Sequence, residues 1–220
     1  MTSIIAIGLV TALGAAVRGN WSPCGESLQA QIHPLGERSR GNVWGVTVAA
    51  FTIGSMAAGA ALTSLLGLIG SAVADFGVSA TWIVGVLAVT AGLLDLTPLK
   101  PWTPRRQVNE NWIGRYRGWV YGAGFGLQLG LGFAVFVMSW GYWAMLMIAF
   151  VSGSAVAGTL LGAVFGLGRG LLLLLSRSST STERLHRFHR TMMGSKALVF
   201  RATGLVTASA GLVVLLYYVG

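Results

Sequence analysis

The sequence predicts an all-α integral membrane protein. Six transmembrane helices are expected as an inverted three-plus-three repeat, with both termini on the non-cytoplasmic side. Three observations carry that expectation. The 220 residues are 54% hydrophobic and only 10% charged, with a mean hydropathy of +0.71, whereas a soluble domain carries about 25% charged residues. Several apolar runs exceed the roughly 18 residues needed to cross a bilayer. The Lys and Arg residues, 15 in all, gather in alternate connections between those runs.

Span 1 covers Ser3 to Trp21, with Arg18 near its end. Met1 to Val17 contains no Lys or Arg, whereas a cleaved signal peptide opens on a basic region, so this stretch reads as a retained span. A polar stretch, Ser22 to Asn42, leads into span 2, Val43 to Gly70, and a turn with Asp75 and Gly77 follows. Span 3, Ala80 to Leu96, stops before Pro98 and Pro101, because proline removes a backbone donor and cannot continue a helix. Span 4 is Gly118 to Met138, and Ser139-Trp140-Gly141 turns the chain into span 5, Tyr142 to Leu167. Ser176 to Lys196 is polar, and span 6 is Ala197 to Val219.

The basic residues fix a topology. Arg18, Arg38 and Arg40 surround the first connection. Lys100, Arg105, Arg106, Arg115 and Arg117 occupy the third. Arg169, Arg177, Arg184, Arg187, Arg190, Lys196 and Arg201 surround the fifth. The second and fourth turns and both chain ends hold none. Basic loops stay in the cytoplasm, so spans 1, 3 and 5 run inward. The expected location is the prokaryotic plasma membrane, with the lipid bilayer as the main partner. The net charge of +9 is accounted for by these loops, so nucleic acid is not expected as a partner.

The two halves resemble each other. Ala50-Phe51-Thr52-Ile53-Gly54-Ser55-Met56-Ala57-Ala58-Gly59 matches Ala149-Phe150-Val151-Ser152-Gly153-Ser154-Ala155-Val156-Ala157-Gly158. Gly8-Leu9, Leu13-Gly14 and Ala16-Val17 likewise match Gly126-Leu127, Leu131-Gly132 and Ala134-Val135. Residues 1–98 and 118–220 then form the two three-helix units, joined by a basic cytoplasmic loop, 99–117. Three spans per unit invert the second copy, and such folds place their working site between the repeats, on broken helices.

Trp21-Ser22-Pro23-Cys24-Gly25-Glu26 reads as the break. Pro23 frees a carbonyl and Gly25 loosens the turn. Irregular backbone at membrane depth must line a cavity or be buried in protein. Cys24, the one cysteine of the chain, is the candidate catalytic residue. Pro23, Gly25, Glu26, Gln29 and His33, with Gln128 of span 4, are the candidate pocket lining. The other reading is a plain loop with an inert thiol. Asp95 near the end of span 3 reads either as a proton or cation site or as a carboxylate reaching the interface near Lys100. Gln128 either lines a pathway or bonds to a neighbouring helix. His186 and His189 share one helix face, but no further ligand at matching spacing makes a metal site. Leu185, Phe188 and Met192 beside Arg184, Arg187 and Arg190 read as a surface helix on anionic lipid. No metal and no cofactor are expected.

The glycine-rich first span ending in Ser22-Pro23-Cys24, the Ala-Phe-x-x-Gly-Ser second span, the third span closed by Pro98 and a basic loop, and the inverted repeat together resemble the CcdA/DsbD family. That resemblance implies a transmembrane thiol-disulfide conduit passing reducing equivalents through Cys24, with a thioredoxin-like protein or another membrane subunit as partner. The family pairs a cysteine in span 1 with one in span 4. Here Phe136 to Tyr142 contains no cysteine, so a partner must supply the resolving thiol. A small-solute or ion transporter, or a structural subunit of a membrane complex, are the alternatives that need no second thiol.

Overall fold

The computed structural model describes residues 1–73, 76–77, 79–104, 106–135 and 137–219. Asp75 and Arg105, used in the charge and turn readings above, lie outside the described residues. The described chain forms ten α-helices: α1 Thr2–Gly19, α2 Pro23–Gln31, α3 Pro34–Ser39, α4 Trp44–Val73, α5 Ser79–Leu96, α6 Asn111–Arg115, α7 Gly118–Leu131, α8 Trp140–Val151, α9 Ala155–Leu173 and α10 Thr182–Val219. A 3₁₀ turn, Leu174–Ser178, extends α9. Among the described residues, five helices are long and apolar enough to cross a membrane: α1, α4, α5, α9 with its 3₁₀ turn, and α10.

Small residues set how these helices meet. A side chain on Gly59 would strike the backbone carbonyl of Gly162, and one on Gly162 would strike that of Gly59. Gly158 packs in the same way on Thr63, Gly166 on Ser55, and Gly67 on Ser154. As the α4 number rises the α9 number falls, so the two helices cross antiparallel in backbone contact. Thr63 seals the crossing, donating its hydroxyl to the Gly158 carbonyl at 2.6 Å. The contacts are reciprocal: Gly59 meets Gly162 as Gly158 meets Thr63, and Ser55 meets Gly166 as Ser154 meets Gly67. On the other flank Gly118 and Gly122 of α7 lie against Thr47, Gly126 against Phe51 and Gly130 against Ser55. Helix α7 therefore runs parallel to α4. Gly85 and Gly92 of α5 meet Gly211 and Gly204 of α10 in antiparallel order.

Four sequence expectations change. The expected span 4 is helical only as far as Leu131, because Gly132 turns to φ +65°. The expected span 5 is two helices, α8 and α9, split at Gly153, where φ is +55°. The matched Gly54-Ser55 runs through the uninterrupted α4, so the two copies of the motif differ in local structure at Gly54 and Gly153, while Ser55 and Gly59 make contacts that match those of Ser154 and Gly158. The basic segment with Arg184 and Arg187 is not a separate surface helix; it is the first part of the 38-residue α10.

The polar stretch after α1 is likewise helical. Ser22 caps α2 by accepting from the Gly25 N–H at 3.2 Å, with Pro23 in its first turn. Proline suits that place because the missing N–H would have no helical partner there. Pro23 therefore starts a helix rather than breaking one. No carbonyl is orphaned at the end of α1. The Asn20 side chain bonds Ala16 O, and the backbone N–H groups of Asn20, Trp21 and Ser22 bond Val17 O, Arg18 O and Gly19 O.

Candidate functional site

The irregular backbone lies instead between α7 and α8, at residues 132–135 and 137–139, enclosed by α1, α5 and α9. Buried polar backbone has to be paired, and other elements supply the partners. Gly132 accepts the Val135 N–H at 3.0 Å. The Tyr142 hydroxyl donates to Leu131 O and accepts the Phe133 N–H at 3.2 Å. Its ring lies against Gly132, where any side chain would collide with it. Thr103 Oγ1 accepts the Val137 N–H at 2.6 Å, and Arg18 Nε donates to Met138 O at 3.0 Å.

Asp95 ends this segment. Its Oδ2 accepts from the Ser139 hydroxyl at 2.7 Å and the Gly141 N–H at 3.3 Å, and Oδ1 accepts the Trp140 N–H at 2.8 Å. Ser139, the residue preceding α8, makes no capping bond with its own side chain. The carboxylate of α5 thus caps α8 from outside, where the helix dipole favours negative charge. Arg18 Nε stands 3.7 Å from Asp95 Oδ1. The same guanidinium donates to Phe200 O of α10 at 3.0 Å and lies 4.0 Å from the Phe200 ring centroid. Asp95 therefore neither pairs with Lys100 nor reaches out to the interface; it joins four helices through Arg18. Arg18 and Arg169, both placed by their positions among loop charges, are buried at 6% and 5% exposure. Arg169 of α9 faces a cavity of about 20 Å³ shared with Gly19, Gly132, Ser139 and Tyr142.

The residues expected as one pocket are dispersed. Cys24 is fully buried, in an apolar cluster with Leu28, Ile32, Phe51, Phe125 and Leu173. The expected partly hydrated setting is absent, because α2 turns Cys24, Leu28 and Ile32 onto one apolar face. Gly25 packs on the Asn20 backbone. Gln29 Nε2 reaches Asn20 Oδ1 at 3.4 Å. Glu26 is half-buried and pairs with Lys196 at 2.9 Å, beside a separate cavity at Met192. His33 caps α3, its Nδ1 accepting the Gly36 N–H at 3.2 Å. Burial, and then the neighbouring Arg40 charge, lower the pKa of His33. Gln128 donates to Gly124 O within its own helix at 3.3 Å. Among the described residues no group of three or more His, Cys, Asp and Glu is placed to hold a metal.

Sequence reasoning missed Glu37. It is fully buried and accepts from Arg40 at 2.7 Å, from Thr47 at 2.8 Å and from the Tyr121 hydroxyl. It ties α3 to α4 and α7. A carboxylate in the first turn after Pro34 is the available signal, since acids favour helix starts.

The chain is 33% identical over 174 residues to the methylamine utilization protein MauF of Paracoccus versutus, covering 75% of this chain and 64% of that protein. It is 31% identical to MauF of Paracoccus denitrificans, covering 73% and 60%, and 31% identical to MauF of Methylophilus methylotrophus, covering 74% and 59%. The chain thus spans about 60% of the length of the curated relatives it matches. No protein-family model and no solved structure matches it. These likenesses overturn the CcdA/DsbD resemblance, and the thiol-disulfide reading with it. The fully buried Cys24, free and set among apolar side chains, is the physical counterpart of that correction. What this chain is similar to is a group of proteins named for methylamine utilization.

Proposed function

We propose that this chain is a membrane-embedded component of a prokaryotic methylamine-utilization system. The observation that carries the reading is its 30–33% identity, over 69–75% of its length, to MauF proteins from four organisms. The test is disruption of the chain in the organism that encodes it. Growth with methylamine as sole nitrogen source is expected to be lost and growth on ammonium kept, with recovery on complementation. Undiminished growth on methylamine overturns the reading.

The same proposal places the chain in the plasma membrane with six crossings and both termini outside. The five long helices supply five crossings. Helices α7 and α8 in series supply the sixth, broken between Leu131 and Trp140. Two features support this. Helix α7 runs parallel to α4 from Thr47 to Ser55, and Phe150 near the end of α8 lies against Gly70 of the same helix. The reciprocal α4–α9 contacts are those that an inverted repeat produces. Non-helical backbone at membrane depth is tolerated where protein encloses it, and Asp95, Arg18, Thr103 and Tyr142 provide that enclosure.

A further inference from the structure

Among the described residues no carboxylate pairs with Arg169. Arg169 is 5% exposed, and its Nε makes no hydrogen bond. The three ion pairs among the described residues are Arg18–Asp95, Arg40–Glu37 and Lys196–Glu26, and none involves Arg169. A lone buried charge is among the most costly features a fold can contain, and is normally paired or hydrogen-bonded. Its neighbours hold it in place: a side chain on Gly19 would collide with the Arg169 guanidinium. The cavity it faces is large enough for one water-sized guest. The other polar groups at the wall are committed, Ser139 donating to Asp95 and the Tyr142 hydroxyl to Leu131 O. Ala15, Leu129, Val135, Val137, Met138 and Phe165 complete the lining.

We propose that this cavity binds one small monovalent anion of halide size, paired with Arg169. The guest has to be small because the cavity is. It has to be weakly hydrated, because one guanidinium in an apolar wall cannot replace the shell of a strongly hydrated ion. Chloride and bromide meet both conditions; fluoride and sulfate do not. Arginine is the suitable cation, since its charge is permanent and its guanidinium is less strongly hydrated than an ammonium. The titratable neighbour is the Cys24 thiol, which is the competing source of negative charge. The site does not depend on the methylamine reading.

The test uses the full chain purified in detergent, followed by tryptophan fluorescence on heating. Chloride replaces gluconate at constant ionic strength. A saturable rise in Tm of about 2–4 °C is expected, matched by bromide and absent with fluoride or sulfate. Arg169→Gln is expected to abolish the rise. Should that variant fail to fold, Arg169→Lys, which keeps the charge but loses the planar fork, is expected to need at least tenfold more chloride. Crystals grown in bromide are expected to show an anomalous peak beside Arg169. Equal Tm in chloride and gluconate overturns the site, as does a rise that survives in Arg169→Gln or a bromide peak found only elsewhere. Cys24→Ser is expected to keep the chloride response. A response that appears only in that variant assigns the counter-charge to the thiolate and overturns the proposal.

Discussion

Arg18 and Asp95 lie 3.7 Å apart, each less than a tenth exposed, although 77 positions separate them in the chain. Arg18 belongs to α1 and Asp95 to α5, and through them α8 and α10 are tied to the same point. Removing one partner of a buried pair strands the other. Asp95→Ala is therefore expected to cost about 3–5 kcal/mol, read as a lowered Tm in detergent. Asp95→Asn is expected to cost less, since the amide oxygen still accepts the Trp140 N–H. The double variant Arg18→Met/Asp95→Leu is expected to lose less than the sum of the two single variants, because no charge is stranded, but to stay below wild type, because the Trp140 and Gly141 N–H groups and Met138 O lose their partners. Additive losses in the double variant would show that the two residues act separately.

How much of this was legible beforehand follows from the range of each signal. The bounds of α4 and α5 lie within three residues of spans 2 and 3, because hydropathy and a proline stop are local. The Arg18–Asp95 pair was not legible, because it exists only once α1, α5 and α8 have met. Pro23 is ambiguous in sequence, since the same ring breaks a helix interior and starts a helix at its first turn. The arbiters were present: Ser22 as cap, Glu26 in the first turn, and Cys24, Leu28 and Ile32 at four-residue spacing, which marks a buried helix face. Gly54 and Gly153 sit in the same motif, yet only Gly153 adopts positive φ. Glycine permits both conformations, and the motif alone does not choose between them.

Glu37 anchors the short α3. Its carboxylate is fully buried and takes donors from Arg40, Thr47 and Tyr121. Glu37→Ala is expected to lower stability by about 3 kcal/mol and to expose residues 34–42 to limited proteolysis. Tyr121→Phe removes one donor to Glu37 and the acceptor of the Asn42 side-chain amide, and is expected to cost about 1–2 kcal/mol. An unchanged cleavage pattern in Glu37→Ala would refute the anchoring role.

The α4–α9 crossing leaves no room for a side chain. Gly162→Val drives two methyl groups toward the Gly59 carbonyl, which is backbone and cannot rotate away. The expected result is a loss at or above the usual overpacking cost of about 1–3 kcal/mol, with poor accumulation of folded protein. Gly194 in α10 has nothing within 4 Å of its would-be Cβ, so Gly194→Ala is expected to be neutral or stabilising by up to about 1 kcal/mol. Equal tolerance at both positions would mean that the helices do not approach closely there.

The topology is checked with a reporter that is active only in the cytoplasm. Fused to the C-terminus it is expected to be silent, and inserted in the 99–117 loop it is expected to be active. The warrant is the retention of basic loops on the cytoplasmic side, with Lys100, Arg106, Arg115 and Arg117 in that loop. Activity at the C-terminus would require an odd number of crossings, and would remove α7 and α8 as a sixth.

His33 links stability to pH. Its Nδ1 accepts the Gly36 N–H that opens α3, and only an unprotonated Nδ1 can accept. Burial and the Arg40 charge lower its pKa; His189 acts in the same direction, while the Ser179 backbone and Glu37 oppose it. The unfolded chain therefore takes up the proton first, at the ordinary histidine value of about 6.5. The stabilising contribution is complete above that pH and declines as pH falls toward the lower folded value. His33→Asn keeps a capping oxygen and does not titrate. Its Tm is expected to fall less steeply than that of the wild type as pH is taken from 7 downward. Parallel Tm–pH curves for the two proteins would show that the cap of α3 does not titrate in this range.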